Sequence, residues 1–278
     1  MSVASPRRLA SAVLVYVVLV LIAVLFAAPL LWLLIASLDP EATLKLAAPR
    51  NPSLQNFGEV LTVDTTLRPM GNALFICGVA SLATVLIAGL AAYPLSRYRL
   101  RFGSSFLYAV LFASGLPLTA VMVPVYGLFA RASLVDSRLA TALFLTATSL
   151  PIAIWLTKNF MDGVPVGLEE ASWVDGASAM RSLRTIVLPL MVPGLLVVGM
   201  FTFVTTWGNF LAPFVLLSSE DKLPASVTIY TFFGEYGSVV YGQLAAYSLI
   251  YTMPVVLLYV IASRWLGGAF TMAGAVKA

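Results

Sequence analysis

The chain has 278 residues, 60% hydrophobic and only 10% charged, with a net charge of +4 and a mean hydropathy of +0.97. Soluble domains carry roughly a quarter charged residues, so this composition excludes an ordinary soluble globular protein. A single cysteine, Cys77, and no histidine rule out an internal disulfide and leave a zinc, copper or haem site almost no ligands.

The apolar residues fall into runs long enough to cross a bilayer, which takes about 20 residues per helix. Six spans can be drawn, at about 10–38, 70–96, 105–130, 140–158, 187–217 and 241–264. Arg7 and Arg8 precede the first run, which is far longer than a signal-peptide core of roughly 7–15 residues. It reads as a retained helix with a kink at Pro29. A polar loop from Asp39 to Arg68 follows, then the short Arg97-Tyr98-Arg99-Leu100-Arg101 turn between spans two and three. Asp136 and Arg138 stand before span four, and Ser218 to Val240 joins spans five and six.

Orientation follows from the basic residues. With the N-terminus inside, ten of the sixteen Lys and Arg fall on the cytoplasmic side, including all three in the short 97–101 turn. Short loops obey the positive-inside rule best, so both termini are expected in the cytoplasm. No Asp, Glu, Lys or Arg stands in the middle of a span. Ion-coupled carriers usually keep such groups at mid-membrane, so their absence argues against a proton relay. A backbone-lined channel stays open as an alternative.

The segment from about 165 to 193 is the charged exception between two apolar runs. Pro165 can start a helix, Leu168 to Val174 supplies about two turns, and Asp175-Gly176 breaks it, with Gly tolerating positive φ and Asp able to bond backbone amides ahead of it. A second helix resumes with Met180, Leu183, Val187 and Leu190 on one face and Arg181 and Arg184 on another. Leu188-Pro189 leads into span five. On its residues alone the segment is a connector or a membrane-surface helix.

The order Glu169-Glu170-Ala171-Ser172-Trp173-Val174-Asp175-Gly176-Ala177, followed by Pro189 and Pro193, resembles the EAA motif of binding-protein-dependent ABC importer permeases. Ser172 stands where a second Ala is usual. The resemblance extends through Pro52-Ser53-Leu54-Gln55-Asn56-Phe57, Asn72-Ala73-Leu74, Leu116-Pro117 to Tyr126, Leu134-Val135-Asp136, Leu150-Pro151, Trp155, and the Trp207-Gly208-Asn209-Phe210-Leu211 segment. These are similar to the sugar-importer branch, and Gly274 to Ala278 resembles the tail of maltose-type permeases. Gly208 and Asn209 depart from the Asn and acidic residue that the branch often has.

The resemblance implies an all-α integral membrane protein of the type I importer permease fold. One N-terminal helix and loop (1–66) would precede a five-helix core (67–278). It implies half of a carbohydrate pathway that cannot hydrolyse ATP itself. Indeed no Gly-x-x-x-x-Gly-Lys-Ser/Thr occurs in the chain, so ATP and Mg belong to a partner. Implied partners are a second permease subunit, two ATPase copies, an extracytoplasmic binding protein and membrane lipid, with no nucleic acid. Glu169, Glu170, Ala171, Asp175, Gly176, Ala177, Leu188 and Pro189 would couple to the ATPase, Glu170 and Asp175 by charge and capping.

Sugars are held by aromatic faces and uncharged hydrogen-bonding groups. That makes Trp207, Asn209, Phe210, Tyr126, Gln243, Tyr247 and Asn72 candidates for the solute path. The plainer reading of each is interfacial anchoring or helix-to-helix bonding. A permease for glycerol-phosphate or another non-sugar solute, or a stand-alone channel or carrier, remains as an alternative.

Overall fold

The computed structural model describes residues 6–45, 47–49, 51–115, 117–233 and 239–275, with side chains from Leu14 to Arg264 apart from Ala113. Leu116 and the last three residues of the maltose-type tail lie outside the described residues. Twelve α-helices are described and no strand; Phe233 and Val239 form one isolated bridge. In chain order they are α1 (Pro6–Ser37), α2 (Gln55–Val60), α3 (Arg68–Arg97), α4 (Gly103–Ala113), α5 (Leu118–Arg131) and α6 (Arg138–Asp162). Then come α7 (Val166–Val174), α8 (Ala179–Ser182), α9 (Leu188–Trp207), α10 (Leu211–Leu216), α11 (Ala225–Thr228) and α12 (Tyr241–Ala275).

Among the described residues five helical stretches are long and apolar enough to cross a membrane: 14–37, 63–97, 138–162, 179–207 and 241–264. The expected single helix over 105–130 is instead two, α4 and α5. Pro117 is the reason, since its ring excludes a helical residue before it and removes a backbone donor. The expected run over 187–217 also breaks, because α9 stops at Trp207 and Gly208-Asn209-Phe210 separates it from α10.

The chain divides into two compact units. One holds residues 1–66 and 229–252. In it, buried Asn56 donates to Ser37 O (3.1 Å) and Asp39 O (3.0 Å), fixing α2 to the end of α1. Trp32 meets Tyr241 edge-on, with ring centroids 6.3 Å apart.

The other unit, residues 67–228 and 253–278, is built around α3, which packs on α6 and α9. Three apolar clusters follow one another along α3. The first joins Ile76 and Ala80 to Ala142, Leu145, Ala212 and Leu216. The second joins Ala88 to Leu107, Ala153, Ile154 and Val198. The third joins Ala92 and Tyr93 to Met161, Leu183, Val187 and Met191. Apolar burial drives no association between helices inside lipid, so close packing and polar bonds must do so. Both occur here. Ser81 Oγ donates to Gly199 O at 2.6 Å, and α9 comes so near α6 at Gly194 that a Cβ there would lie 2.6 Å from Cγ of Phe160.

Candidate functional site: a clamped surface helix and a hydroxyl-lined cavity

The 165–193 segment folds as a helix, a turn and a second helix. α7 starts after Pro165, whose fixed φ suits a helix start. Gly176 has φ +84°, in the left-handed region that costs other residues about 1–2 kcal/mol. The turn closes on backbone bonds: Asp175 N to Ala171 O, Gly176 N to Trp173 O and Ala177 N to Ser172 O. The expected capping by Asp175 is corrected here, because the side chain that caps α8 is that of Ser178, accepting from Arg181 N. A π-helical turn over Leu183–Val187 then leads into α9. Of the expected apolar face, Leu183 and Val187 are buried, while Met180 and Leu190 are exposed.

Glu169 is the residue that fastens α7 to the membrane bundle. It is fully enclosed, 0% exposed, and its two oxygens accept from Arg97 Nε and, at 3.0 Å, from Tyr93 Oη, both on α3. Arg97 also donates to Val164 O at 3.0 Å, bridging the end of α6. A buried carboxylate demands such compensation. Glu169 therefore offers no surface to another chain; it positions the helix. Ser172 does more than keep close packing possible: its hydroxyl is 2.5 Å from that of Ser182, tying α7 to α8.

The other side of the segment is bare. Glu170, Ala171, Asp175 and Gly176 are exposed, Ala177 and Leu188 are half-buried and Pro189 is exposed. Val174, at the very tip, is 88% exposed beside a half-exposed Trp173.

A cavity of about 470 Å³ opens where the helices break. Its polar lining is Ser114, Thr148, Ser149, Thr205, Thr206 and Asn209, with Phe201 as its aromatic face and, among the described residues, no charged one. The hydroxyl protons go to helix carbonyls: Ser114 to Leu111 O, Thr148 and Ser149 to Leu145 O, and Thr206 to Thr202 O. With their protons engaged, these hydroxyl oxygens keep only acceptor capacity, which suits a solute that brings its own hydroxyl donors. Asn209 Oδ1 accepts from Ala212 N at 3.0 Å, so one side chain both caps α10 and lines the cavity.

Of the seven expected path residues only Asn209 lines this cavity. Trp207 is 3% exposed and stacks on Phe203, a packing position. Phe210 stacks on Phe214, and Tyr126 is exposed. Asn72 is buried and donates to Asp221 O and Leu223 O while accepting from Arg138, so its polar capacity is consumed structurally. Gln243 and Tyr247 belong to the other compact unit. There Gln243 donates to Glu59, which it and Gln55 hold below the usual carboxylate range (Gln55 being the larger influence), and Tyr247 is enclosed against Phe232. Residue type alone does not mark the cavity hydroxyls, because Ser and Thr in a membrane helix usually satisfy themselves on the preceding turn; the paired Thr-Ser and Thr-Thr steps at 148–149 and 205–206 are the signal the sequence carries.

A further hub lies at the α5–α6 corner. Asp136 (φ +64°) accepts from Ser218 N, Ser219 N and Oγ, and Lys222 Nζ. These bonds, Lys222 first, hold its carboxyl well below the usual range.

Residues 84–268 match the family described as the binding-protein-dependent transport system inner membrane component. The chain belongs to that family. It is 27% identical to the trehalose/maltose permease MalG of Thermococcus litoralis, over 93% of this chain and 94% of that one. It is 27% identical to the diacetylchitobiose permease DasC of Streptomyces coelicolor, over 90% and 91%. In fold it matches a chain of a bacterial alginate ABC importer, with TM-score 0.82 at 19% identity over 95% of this chain and 99% of that one. This is a multi-pass inner-membrane permease of an ABC importer, a transport component rather than an enzyme.

Proposed function

We propose that this permease forms half of a carbohydrate pathway and receives its work at the tip of α7. The observation that carries the reading is the contrast on that short helix. One side is locked to α3 through Glu169 and Arg97, while Trp173 and Val174 stand uncovered at the opposite end. An exposed apolar tip on a rigidly held helix is a docking element, and a push on it moves α3. Glu170 and Asp175 supply charge around the tip, and Gly176 allows the turn.

Two ATPase copies, which hold ATP and Mg, would engage this tip and that of a second, similar permease. A binding protein delivers solute on the opposite side. Both termini and the α7 turn face the cytoplasm, and α4 and α5 together make the sixth crossing. Closing of the ATPase pair draws the tips together and shifts the bundle between inward- and outward-facing populations, as alternating access requires. The uncharged, acceptor-rich cavity supports a neutral polyol solute and speaks against a sugar phosphate, which would want a cation. Sugar-named relatives support the same class.

Two substitutions test the reading in the reconstituted complex. Val174→Asp is expected to release the ATPase on purification while the permease still inserts. Thr205→Val with Asn209→Ala is expected to raise the KM for carbohydrate uptake with the ATPase still bound. Retained ATPase in the first variant, or unchanged uptake in the second, sinks the corresponding half.

A further inference from the structure

A groove of about 480 Å³ lies between α3 and α9 near the base of the α7–α8 segment. Leu86, Gly89 and Leu90 line one side and Val192 and Leu195 the other, and Arg184 is, among the described residues, the one charged side chain in the lining. Gly89 leaves room between the two sides: a Cβ there would only just reach Leu195 Cδ2, at 4.0 Å.

We propose that this groove holds an acyl chain of an anionic phospholipid of the cytoplasmic leaflet, with its phosphate against Arg184. The proposal rests on the cytoplasmic placement of the α7–α8 segment argued above. Three observations select this occupant. The lining is otherwise apolar, which suits an alkyl chain. Arg184 is exposed and, among the described residues, has no carboxylate at ion-pair distance, with exposed Arg181 one turn before it. A transmembrane helix of a partner seated there would enclose an unpaired arginine, which is costly; a lipid phosphate instead pairs it bidentately. Basic pockets between helices on the cytoplasmic side attract anionic head groups in this way.

An alkyl chain gains little by leaving bulk lipid for a protein groove, so residence must depend on the head group. Each arginine near the surface contributes roughly a fivefold preference for an anionic lipid, hence about twenty-five-fold for the two.

The test uses the whole importer complex, stripped of lipid in mild detergent. It is titrated with phosphatidylglycerol or phosphatidylcholine of identical acyl chains, and bound lipids are counted by native mass spectrometry. The wild type is expected to retain phosphatidylglycerol about twenty-five-fold better. Arg184→Gln should cut that preference about fivefold, and Gly89→Leu should fill the groove and lower retention of both lipids without touching the charge. Val192→Phe is a second plug if Gly89→Leu does not assemble. Equal retention of the two lipids by the wild type overturns the proposal, as does unchanged phosphatidylglycerol retention in Arg184→Gln and in a plugged variant. The same spectra report whether ATPase subunits are present, so a failure of the importer reading is visible separately from the lipid count.

Discussion

Removing Glu169 should loosen α7 without unfolding the bundle. The carboxylate is fully enclosed, and its partners are Arg97 Nε, with an arginine side chain only 4% exposed, and Tyr93 Oη. Glu169→Ala leaves the guanidinium with Val164 O and Ser96 Oγ alone and strands the Tyr93 hydroxyl. Breaking one side of a buried pair costs about 3–5 kcal/mol, which is a hundredfold to several-thousandfold in an equilibrium. Because the loss falls on the attachment of one short helix, it should appear as local opening. Amide exchange over residues 166–174 is expected to accelerate at least a hundredfold in Glu169→Ala, while α3 and α6 keep their protection. Glu169→Gln keeps the volume and loses only the charge, so a smaller acceleration is expected. In proteoliposomes both variants should hydrolyse ATP with less solute moved per turnover, Ala more so than Gln. Unchanged exchange over 166–174 in Glu169→Ala would refute the clamp.

Further outcomes are expected at three positions. Gly176→Ala should reduce coupled transport modestly, by the roughly 1–2 kcal/mol that a left-handed backbone costs a residue with a side chain, since a Cβ there meets nothing within 4 Å. Gly176→Pro, which also removes the bond to Trp173 O, should abolish transport and leave insertion and ATP hydrolysis; normal uptake would contradict it. Gly194→Ala should destabilise by about 1–3 kcal/mol through overpacking on Phe160, and Phe160→Ala in the same chain should relieve part of the loss, read as the temperature of aggregation in detergent. For Asp136, the folded carboxyl is harder to protonate than an unfolded one, whose pKa is about 4. Its stabilisation is thus complete above about pH 4 and is lost as pH falls through the lower folded value. Thermal stability should show no Asp136 dependence on pH between 8 and 5; a decline below about pH 4 should be smaller in Asp136→Asn.

Much of this was legible in the residues. The apolar runs, the turn at Gly176 and the helix before it follow from length, hydropathy and the steric needs of glycine. What escaped were features decided by neighbours distant in sequence. Nothing local to Glu169 says that it points inward while Glu170 points out; that is set by Arg97, seventy-two residues earlier. Trp207 looked like a sugar platform on residue type, yet it is enclosed beside Phe203. The breaks at Pro117 and at Gly208-Asn209 were written in the sequence, but hydropathy averaged over a window runs straight across them.

The enclosure of Glu169 bears on how such permeases can be recombined. Its partner arginine lies on a different helix, whereas the exposed tip with Trp173 and Val174 lies within the α7 turn. Exchanging only the exposed tip, from Glu170 to Ala177, should retarget the permease to another ATPase with the clamp intact. Transplanting the whole helix into a scaffold lacking an arginine at the end of α3 would import a carboxylate without its counter-charge, and the graft would fail for a reason unrelated to recognition.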